Sequence, residues 1–231
     1  MSGILPQSFF DQPPLQLARA LLGKVIRHRV QGQWLAARII ETEAYDRREK
    51  GSHASLGYTA KRRALFMPPG TLYLYYARGK DSLNISARGE GAGVLIKSGV
   101  PWTDELSGAD SLALMQQLNP SAQGLPRQPQ RLCSGQTLFC RALGIKVVDW
   151  DQRCPEPERL RIEAVDYQPG TVIQTTRLGI PKGRDEHLLW RLVDAAEAAH
   201  CSRNPLRSRS LPYHLLEADQ PLLVDGPQDK G

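Results

Sequence analysis

The sequence predicts an α+β fold, a single domain built on a curved, mainly antiparallel β-sheet with a protruding β-hairpin and surrounding helices. Short runs rich in β-branched and aromatic residues are joined by brief turns that contain glycine, which is typical of antiparallel hairpins. Apolar residues at helical spacing occur in separate segments before and after these runs. The 231 residues, 41% of them hydrophobic, are enough to bury one substantial core.

A short amphipathic helix is predicted at the start of the chain. Pro14 suits its first turn, Gly23 suits the position after its end, and apolar residues recur between them. Residues 25–29 and 34–45 then have strand composition, and the connection 31–33 contains a glycine. The sheet is therefore predicted to begin with an antiparallel pair.

A second hairpin is predicted from residues 69–76 and 83–86, with the basic turn 78–81 at its tip. The glycine-rich run 89–93 leads into a further short strand at 94–97. Glycines there permit a bulge or the close approach of another chain, whereas the Lys-Ser/Thr of a phosphate-binding loop is missing.

Helices are predicted near residues 110–118 and 134–143, and the apolar spacing between residues 188 and 196 predicts a late core helix. Residues 119–131, rich in Pro and Gln, have the composition of an exposed loop. With no repeat or sharp change of composition, we predict one domain over residues 1–211 and a weakly ordered tail over 212–231.

The composition limits which cellular compartment and which partners we expect for this protein. Thirty Lys and Arg against 24 Asp and Glu give a net charge of +6, which favours a polyanionic partner but also fits a dispersed, solvated surface. The four cysteines form no CxxC pair, so we expect reduced structural thiols and no metal site. The absence of an apolar leader or a span of bilayer length predicts a cytoplasmic protein without membrane contact.

The segment 35–45 is the main candidate for chemistry. As a strand with a period of two, it would place Leu35, Ala37, Ile39, Glu41, Glu43 and Tyr45 on one face. A Glu43 carboxylate that emerges from an apolar face should resist ionisation and suit base chemistry, with the His53 imidazole nearby. The alternatives are a Glu43 that faces water or pairs with Arg38, and a His53 that is an ordinary surface histidine.

Two basic clusters flank the tyrosine-rich strand. Lys61-Arg62-Arg63 precedes it and Arg78-Gly79-Lys80 follows it, an arrangement suited to phosphates on either side of a stacked base. Solvated charged loops, with Tyr73 and Tyr75 as ordinary core residues, are the alternative.

These blocks together resemble the alkyladenine, or 3-methyladenine, DNA glycosylase family. The resemblance is carried, in order and spacing, by ETEAY at 41–45, His53, FMPPGTLYLY at 66–75, LNIS at 83–86 and LCSG at 132–135. It runs from about residue 10 through 145 and continues more weakly to 177–180 and 204–207.

The resemblance implies a monofunctional N-glycosylase of base excision repair. Such an enzyme flips an alkylated or deaminated purine out of double-stranded DNA and hydrolyses its bond to deoxyribose, without a cofactor, to leave an abasic site. It implies a monomer, associated with the nucleoid if the source is bacterial. Cationic purines such as 3-methyladenine are the expected substrates, because neutral hypoxanthine needs an acid that we cannot identify here.

The resemblance also assigns roles to residues. Glu43 would be the general base, with Glu41 as structural support. Tyr45, His53 and Tyr75 would sandwich the flipped base, and Asn84 would crowd the exocyclic amino group of guanine.

The chain departs from the family pattern at three positions among the residues expected to contact the nucleotide or the DNA backbone. Lys97 stands where the family usually has an arginine, and Arg62 replaces a common asparagine. At the hairpin tip, Arg78 occupies the nearest position to an aromatic wedge, so either Arg78 or Tyr76 would fill the gap left by the base. The DNA-contacting residues would then be Lys61, Arg62, Arg63, Tyr76, Arg78 and Lys80.

Two other functions stay open on these residues. The altered tip and Lys97 would also fit a non-catalytic reader of damaged or distorted DNA. A hydrolase of free nucleosides would use the same pocket, with the basic clusters incidental to its activity.

Overall fold

The structure, a computed structural model, describes residues 3–224 and confirms the predicted α+β class. Its ten strands are β1 Gly3–Ile4, β2 Val25–Val30, β3 Gln33–Tyr45, β4 Leu72–Ala77, β5 Lys80–Ser86, β6 Gly93–Pro101, β7 Leu160–Ala164, β8 Thr171–Thr175, β9 Arg191–Asp194 and β10 Tyr213–Glu217. Its α-helices are α1 Pro14–Leu21, α2 Ala109–Leu118, α3 Gln136–Leu143 and α4 Val147–Trp150.

The strands form one antiparallel sheet with a branch at β3. The main path runs β1-β7-β2-β3-β6-β5-β4, and β9, β8 and β10 continue the sheet from the far half of β3. β3 is therefore the strand on which both parts of the sheet meet. Any side chain near its end is held by two sets of neighbours.

Both predicted hairpins are present, and each closes with a two-residue turn. In the first turn Gln31 and Gly32 have φ of 51° and 81°, and in the second Arg78 and Gly79 have φ of 51° and 75°. Positive φ at both central residues matches the right-handed twist of the flanking strands. The second hairpin thus holds Arg78 at an exposed tip.

The three longer helices lie where the sequence predicts them, and their apolar faces join one core with the central strands. Leu17 and Leu21 of α1 and Phe139 and Leu143 of α3 are completely buried in this core. α2 contributes Met115. Packing against the sheet stabilises these short helices, which would be marginal in isolation.

The predicted late core helix is wrong. Residues 191–194 form β9, whose backbone pairs with β3 and with β8. Apolar residues on both faces of a buried strand imitate helical spacing over so short a run, and only the neighbouring strands decide between the two.

We did not predict β10, the strand Tyr213–Glu217 that pairs with β8 along its length. Four of its five side chains are exposed, which hides an edge strand from any hydrophobic pattern. The remainder of the predicted tail, residues 225–231, lies outside the described residues, and the domain boundary at residue 211 stays a prediction.

Within the glycine-rich run 89–93, Gly91 permits the close approach of two other segments of this chain. A Cβ atom on Gly91 would lie 2.7 Å from the Cβ of Arg47 and 2.8 Å from that of Ala54. All four cysteines are free thiols, with only Cys154 exposed. Within residues 3–224, no helix has the length and apolar character required to cross a bilayer.

His28 gives the fold a testable pH dependence. Its Nδ1 lies 2.8 Å from the Leu143 carbonyl and its Nε2 lies 3.1 Å from the indole Nε1 of Trp150, so the ring is buried in a neutral form. Burial, with a smaller contribution from Arg159, lowers the pKa of His28 below its ordinary value of 6.5. Protonation therefore favours the unfolded chain.

We expect the free energy of unfolding to be highest above about pH 6.5 and to fall as the pH drops toward the folded-state pKa of His28. Urea titrations at a series of pH values measure this slope. His28→Asn should flatten it at some cost in stability, while the matched change at exposed His214 should leave it intact. Equal slopes in wild type and His28→Asn would contradict this assignment.

Candidate active site

The far end of β3 does not follow the predicted alternation. The pairing of β3 with β6 shifts register on both sides of Glu41, which marks a β-bulge. Leu35, Ala37 and Ile39 belong to the main core, and beyond the bulge Ala44 takes that place. The prediction that Glu41, Glu43 and Tyr45 share a face with Leu35 is therefore wrong, because one extra residue turns them to the opposite face.

Glu43 is buried, and both of its oxygens are occupied. The Tyr45 hydroxyl donates to Oε2 at 2.8 Å, and the Lys97 ammonium lies 3.3 Å from the same oxygen. The Leu178 N–H donates to Oε1 at 3.0 Å. The alternative partner Arg38 instead pairs with Asp194 and Glu197.

The environment of Glu43 favours the carboxylate. Burial acts to raise the pKa of Glu43, but the charge of Lys97, the Leu178 N–H and the charge of Arg191 together hold this pKa below its ordinary value of 4.5. The expectation that Glu43 resists ionisation is thus wrong. A carboxylate that stays ionised at neutral pH can still accept a proton.

The partners of Glu43 line a cavity of about 790 Å³. It reaches from the β3–β6 face to the tip of the second hairpin. All five residues predicted to bind the flipped nucleotide lie in its wall, namely Tyr45, His53, Tyr75, Asn84 and Lys97. Its volume is in the range of small-molecule sites.

Aromatic side chains form one side of this cavity. The His53 and Tyr75 rings meet edge to face with centroids 4.7 Å apart, and Tyr73 stacks on Tyr75 at 5.6 Å. His53 Nδ1 lies 3.1 Å from the Tyr73 hydroxyl. Partial burial, followed by the charges of Arg62 and Arg184, lowers the pKa of His53, so its ring is neutral at neutral pH.

The Asn84 side chain is fixed by its neighbour on the paired strand. Its Nδ2 donates to the Tyr73 carbonyl at 3.2 Å, and the residue is 6% exposed. This hydrogen bond favours one orientation of the amide in the cavity wall.

The predicted DNA-contacting residues divide into two groups. Arg62, Arg78 and Lys80 line the cavity at its mouth. Lys61 and Arg63 are exposed on the adjoining 3-10 helix Ala60–Phe66, and Tyr76, also exposed, precedes the hairpin tip. A basic rim around a concave site favours an anionic ligand.

Sequence reasoning gave no role to the segment that completes the site. Leu178 bonds Glu43, and Arg177 pairs through two hydrogen bonds with Glu49 in the interior. The weak match at 177–180 was the signal for this segment, but nothing local connects it with β3. Within residues 3–224, no three His, Cys, Asp or Glu side chains cluster as metal ligands.

Comparison with known proteins matches this chain to one family model and to relatives that are named as DNA glycosylases. Residues 8–198 match the family model described as methylpurine-DNA glycosylase. A Pseudomonas aeruginosa protein, provisionally named a 3-methyladenine DNA glycosylase, is 60% identical over 222 residues, which cover 95% of this chain and 93% of that protein. The Mus musculus DNA-3-methyladenine glycosylase is 37% identical over 188 residues, which cover 78% of this chain and 55% of the mouse protein.

Proposed function

We propose that this chain, which belongs to the methylpurine-DNA glycosylase family and is a DNA glycosylase that hydrolyses N-glycosyl bonds, flips a damaged purine into the cavity beside Glu43. The observation that carries this proposal is the buried Glu43 carboxylate, whose three partners all line the cavity. A base inside a duplex could not approach this carboxylate without leaving the stack.

Glu43 acts on water in the proposed reaction. The carboxylate accepts a proton from a water molecule whose oxygen attacks C1′ of the deoxyribose, and the electron pair of the glycosidic bond leaves with the purine. The products are an abasic site and a free base. Because Glu43 is buried behind Tyr45, Lys97 and Leu178, the water must enter between these residues.

The wall of the cavity would select the base. Tyr45, His53 and Tyr75 all line the cavity, and we propose that their rings sandwich the flipped purine. A neutral His53 ring adds no repulsion to a cationic base, and the π-faces of the tyrosines attract one. Alkylated cationic purines such as 3-methyladenine are therefore the proposed substrates.

The basic rim would bind the DNA backbone of a double-stranded substrate. Arg62, Arg78 and Lys80 face the cavity mouth, and Lys61 and Arg63 extend the charge along the adjoining helix. Arg78, held at the hairpin tip with a positive φ, or exposed Tyr76 beside it, would fill the space left by the flipped base. We propose that the enzyme acts as a monomer.

Single-turnover release of free purine from a methylated duplex tests this function. The wild type should release 3-methyladenine and leave alkali-labile abasic sites, and undamaged duplex should compete with a steep salt dependence. Tight binding without release of a base would instead support a non-catalytic reader of damaged DNA. Equal activity on free nucleosides would favour the nucleoside hydrolase, an activity that the family and the names of the relatives do not indicate.

Replacement of Asn84 should relax discrimination against guanine. Asn84→Ser removes the amide that Tyr73 holds in the wall, and we expect release of guanine lesions relative to 3-methyladenine to rise about tenfold. The measurement is the ratio of the single-turnover rates on two duplexes of the same sequence, one that contains a guanine lesion and one that contains 3-methyladenine. The conservative change Thr137→Ser, elsewhere in the same wall, is the control. An unchanged ratio in a folded Asn84→Ser protein would contradict exclusion by Asn84.

A further inference from the structure

Arg177 is a buried cation at the junction of three segments that form the cavity. Its side chain is 1% exposed and that of Glu49 is not exposed at all. Nη1 donates to Glu49 Oε1 at 2.7 Å and Nη2 donates to Oε2 at 2.9 Å, in the bidentate arrangement that a guanidinium allows. Arg177 itself does not line the cavity.

Besides contacts to the Asp185 carbonyl and the Trp190 ring, this ion pair contacts three segments that form the site. Arg177 Nη1 also donates to the carbonyl of Ala44 in β3, and its guanidinium carbon lies 4.7 Å from the centroid of the Tyr45 ring. Glu49 Oε2 accepts the Gly51 N–H at 2.7 Å, at the start of the loop that carries His53. The residue after Arg177 is Leu178, whose N–H bonds Glu43.

We propose that the Arg177–Glu49 ion pair is a positioning unit of the active site, which holds the Leu178 N–H on Glu43 and sets the Tyr45 and His53 sides of the cavity relative to each other. The proposal rests on the proposed role of Glu43 as the base. The pair contacts no substrate, so it acts only through the groups that it fixes.

The requirement for a fork-shaped cation follows from the geometry. Four acceptors surround one guanidinium, namely the two Glu49 oxygens and the carbonyls of Ala44 and Asp185. An ammonium could keep the charge but could not satisfy two carboxylate oxygens in a plane and reach the carbonyls as well. Arg177→Lys therefore breaks the geometry while keeping the charge.

Gly51 offers a second and gentler way to disturb the same pair. Gly51 lies in the cavity wall, and a Cβ atom at this position would lie 2.9 Å from Glu49 Oε2 and 3.2 Å from both Arg177 Nη2 and the Arg184 carbonyl oxygen. Gly51→Ala therefore displaces the pair without altering any charge. Arg27 is also buried, pairs with Glu163 on β7 and with Asp104, and does not line the cavity, so Arg27→Lys is the matched control.

The test is the pH dependence of single-turnover purine release from a methylated duplex. Arg177→Lys should slow release about tenfold or more, because an oriented hydrogen bond to a charged group is lost. The acid limb of its rate profile should move to higher pH, because Glu43 loses the Leu178 N–H that favours its ionised form. Gly51→Ala should change both quantities in the same direction, and Arg27→Lys should change neither.

Other outcomes overturn the proposal. If folded Arg177→Lys and Gly51→Ala proteins keep the wild-type rate and acid limb, the ion pair is a structural contact only. If the rate falls but the acid limb does not move, the pair does not act through the Leu178 N–H. If Arg177→Lys does not fold, Gly51→Ala decides by the same criteria. Failure of the wild type to release purine would instead contradict the proposed function.

Discussion

Glu43→Gln should reduce single-turnover purine release by about 10²–10⁴-fold while leaving duplex binding almost unchanged. Glutamine keeps the shape of the side chain and an oxygen for the Leu178 N–H, but it cannot take a proton from water. The measurement compares wild type and variant on one methylated duplex at equal, saturating protein concentration, with binding measured separately.

Tyr45→Phe is the matched control for that experiment. It removes the hydroxyl that donates to Glu43 at 2.8 Å and keeps the ring that lines the cavity. We expect a loss of about tenfold or less, since the carboxylate remains. If Glu43→Gln loses no more than Tyr45→Phe, Glu43 is not the base.

The direction of the Glu43 pKa adds a second check. Because Lys97 and the Leu178 N–H hold this pKa below 4.5 against the effect of burial, protonation of Glu43 should not reduce the wild-type rate between neutral pH and about pH 5.5, one unit above the ordinary value. A group with a raised pKa would lose activity earlier. An acid limb near pH 6 in a folded protein would contradict the ionised state that we assign.

Of the substitutions considered, Glu41→Gln should lower the free energy of unfolding the most, by about 3–5 kcal/mol. Glu41 and Arg191 are both fully buried, and their atoms Oε1 and Nε are 2.6 Å apart. Glu41 also accepts hydrogen bonds from Ser98 and from the backbone N–H and hydroxyl of Ser202. The amide would leave the Arg191 charge without its counterion and place a donor among donors.

Urea denaturation of the wild type and the variant measures this loss. Glu90→Gln is the control, since Glu90 pairs with Arg47 at a solvent-exposed position and should change stability by less than about 1 kcal/mol. A Glu41→Gln protein as stable as Glu90→Gln would show that the buried pair contributes little. Since typical domains are stable by about 5–15 kcal/mol, the expected loss could leave the variant only partly folded.

Local patterns were sufficient for much of the fold. The helices α1, α2 and α3 and both hairpins lie where caps, glycine turns and apolar spacing predict them, because those signals act over a few residues. β1 and the strands β7 to β10 were missed because their identity as strands comes from pairing with segments elsewhere in the chain.

The candidate site divides in the same way. The sequence by itself determined the chemical groups that are available, namely a carboxylate, aromatic rings, an amide and basic loops, together with the family that carries them. It could not show the bulge at Glu41, because a bulge depends on the register of β3 against β6. Only the tertiary structure turned Glu43 away from the main core.

The tertiary structure also decided the charge state and the supports of Glu43. Lys97 is 54 positions away in sequence and Leu178 is 135 positions away, yet both reach its oxygens. Burial alone would favour a protonated carboxyl group, and these distant partners reverse that preference. Electrostatic energies depend on distances in space, so the residue types are written in the sequence while their pKa values arise only when the chain is folded.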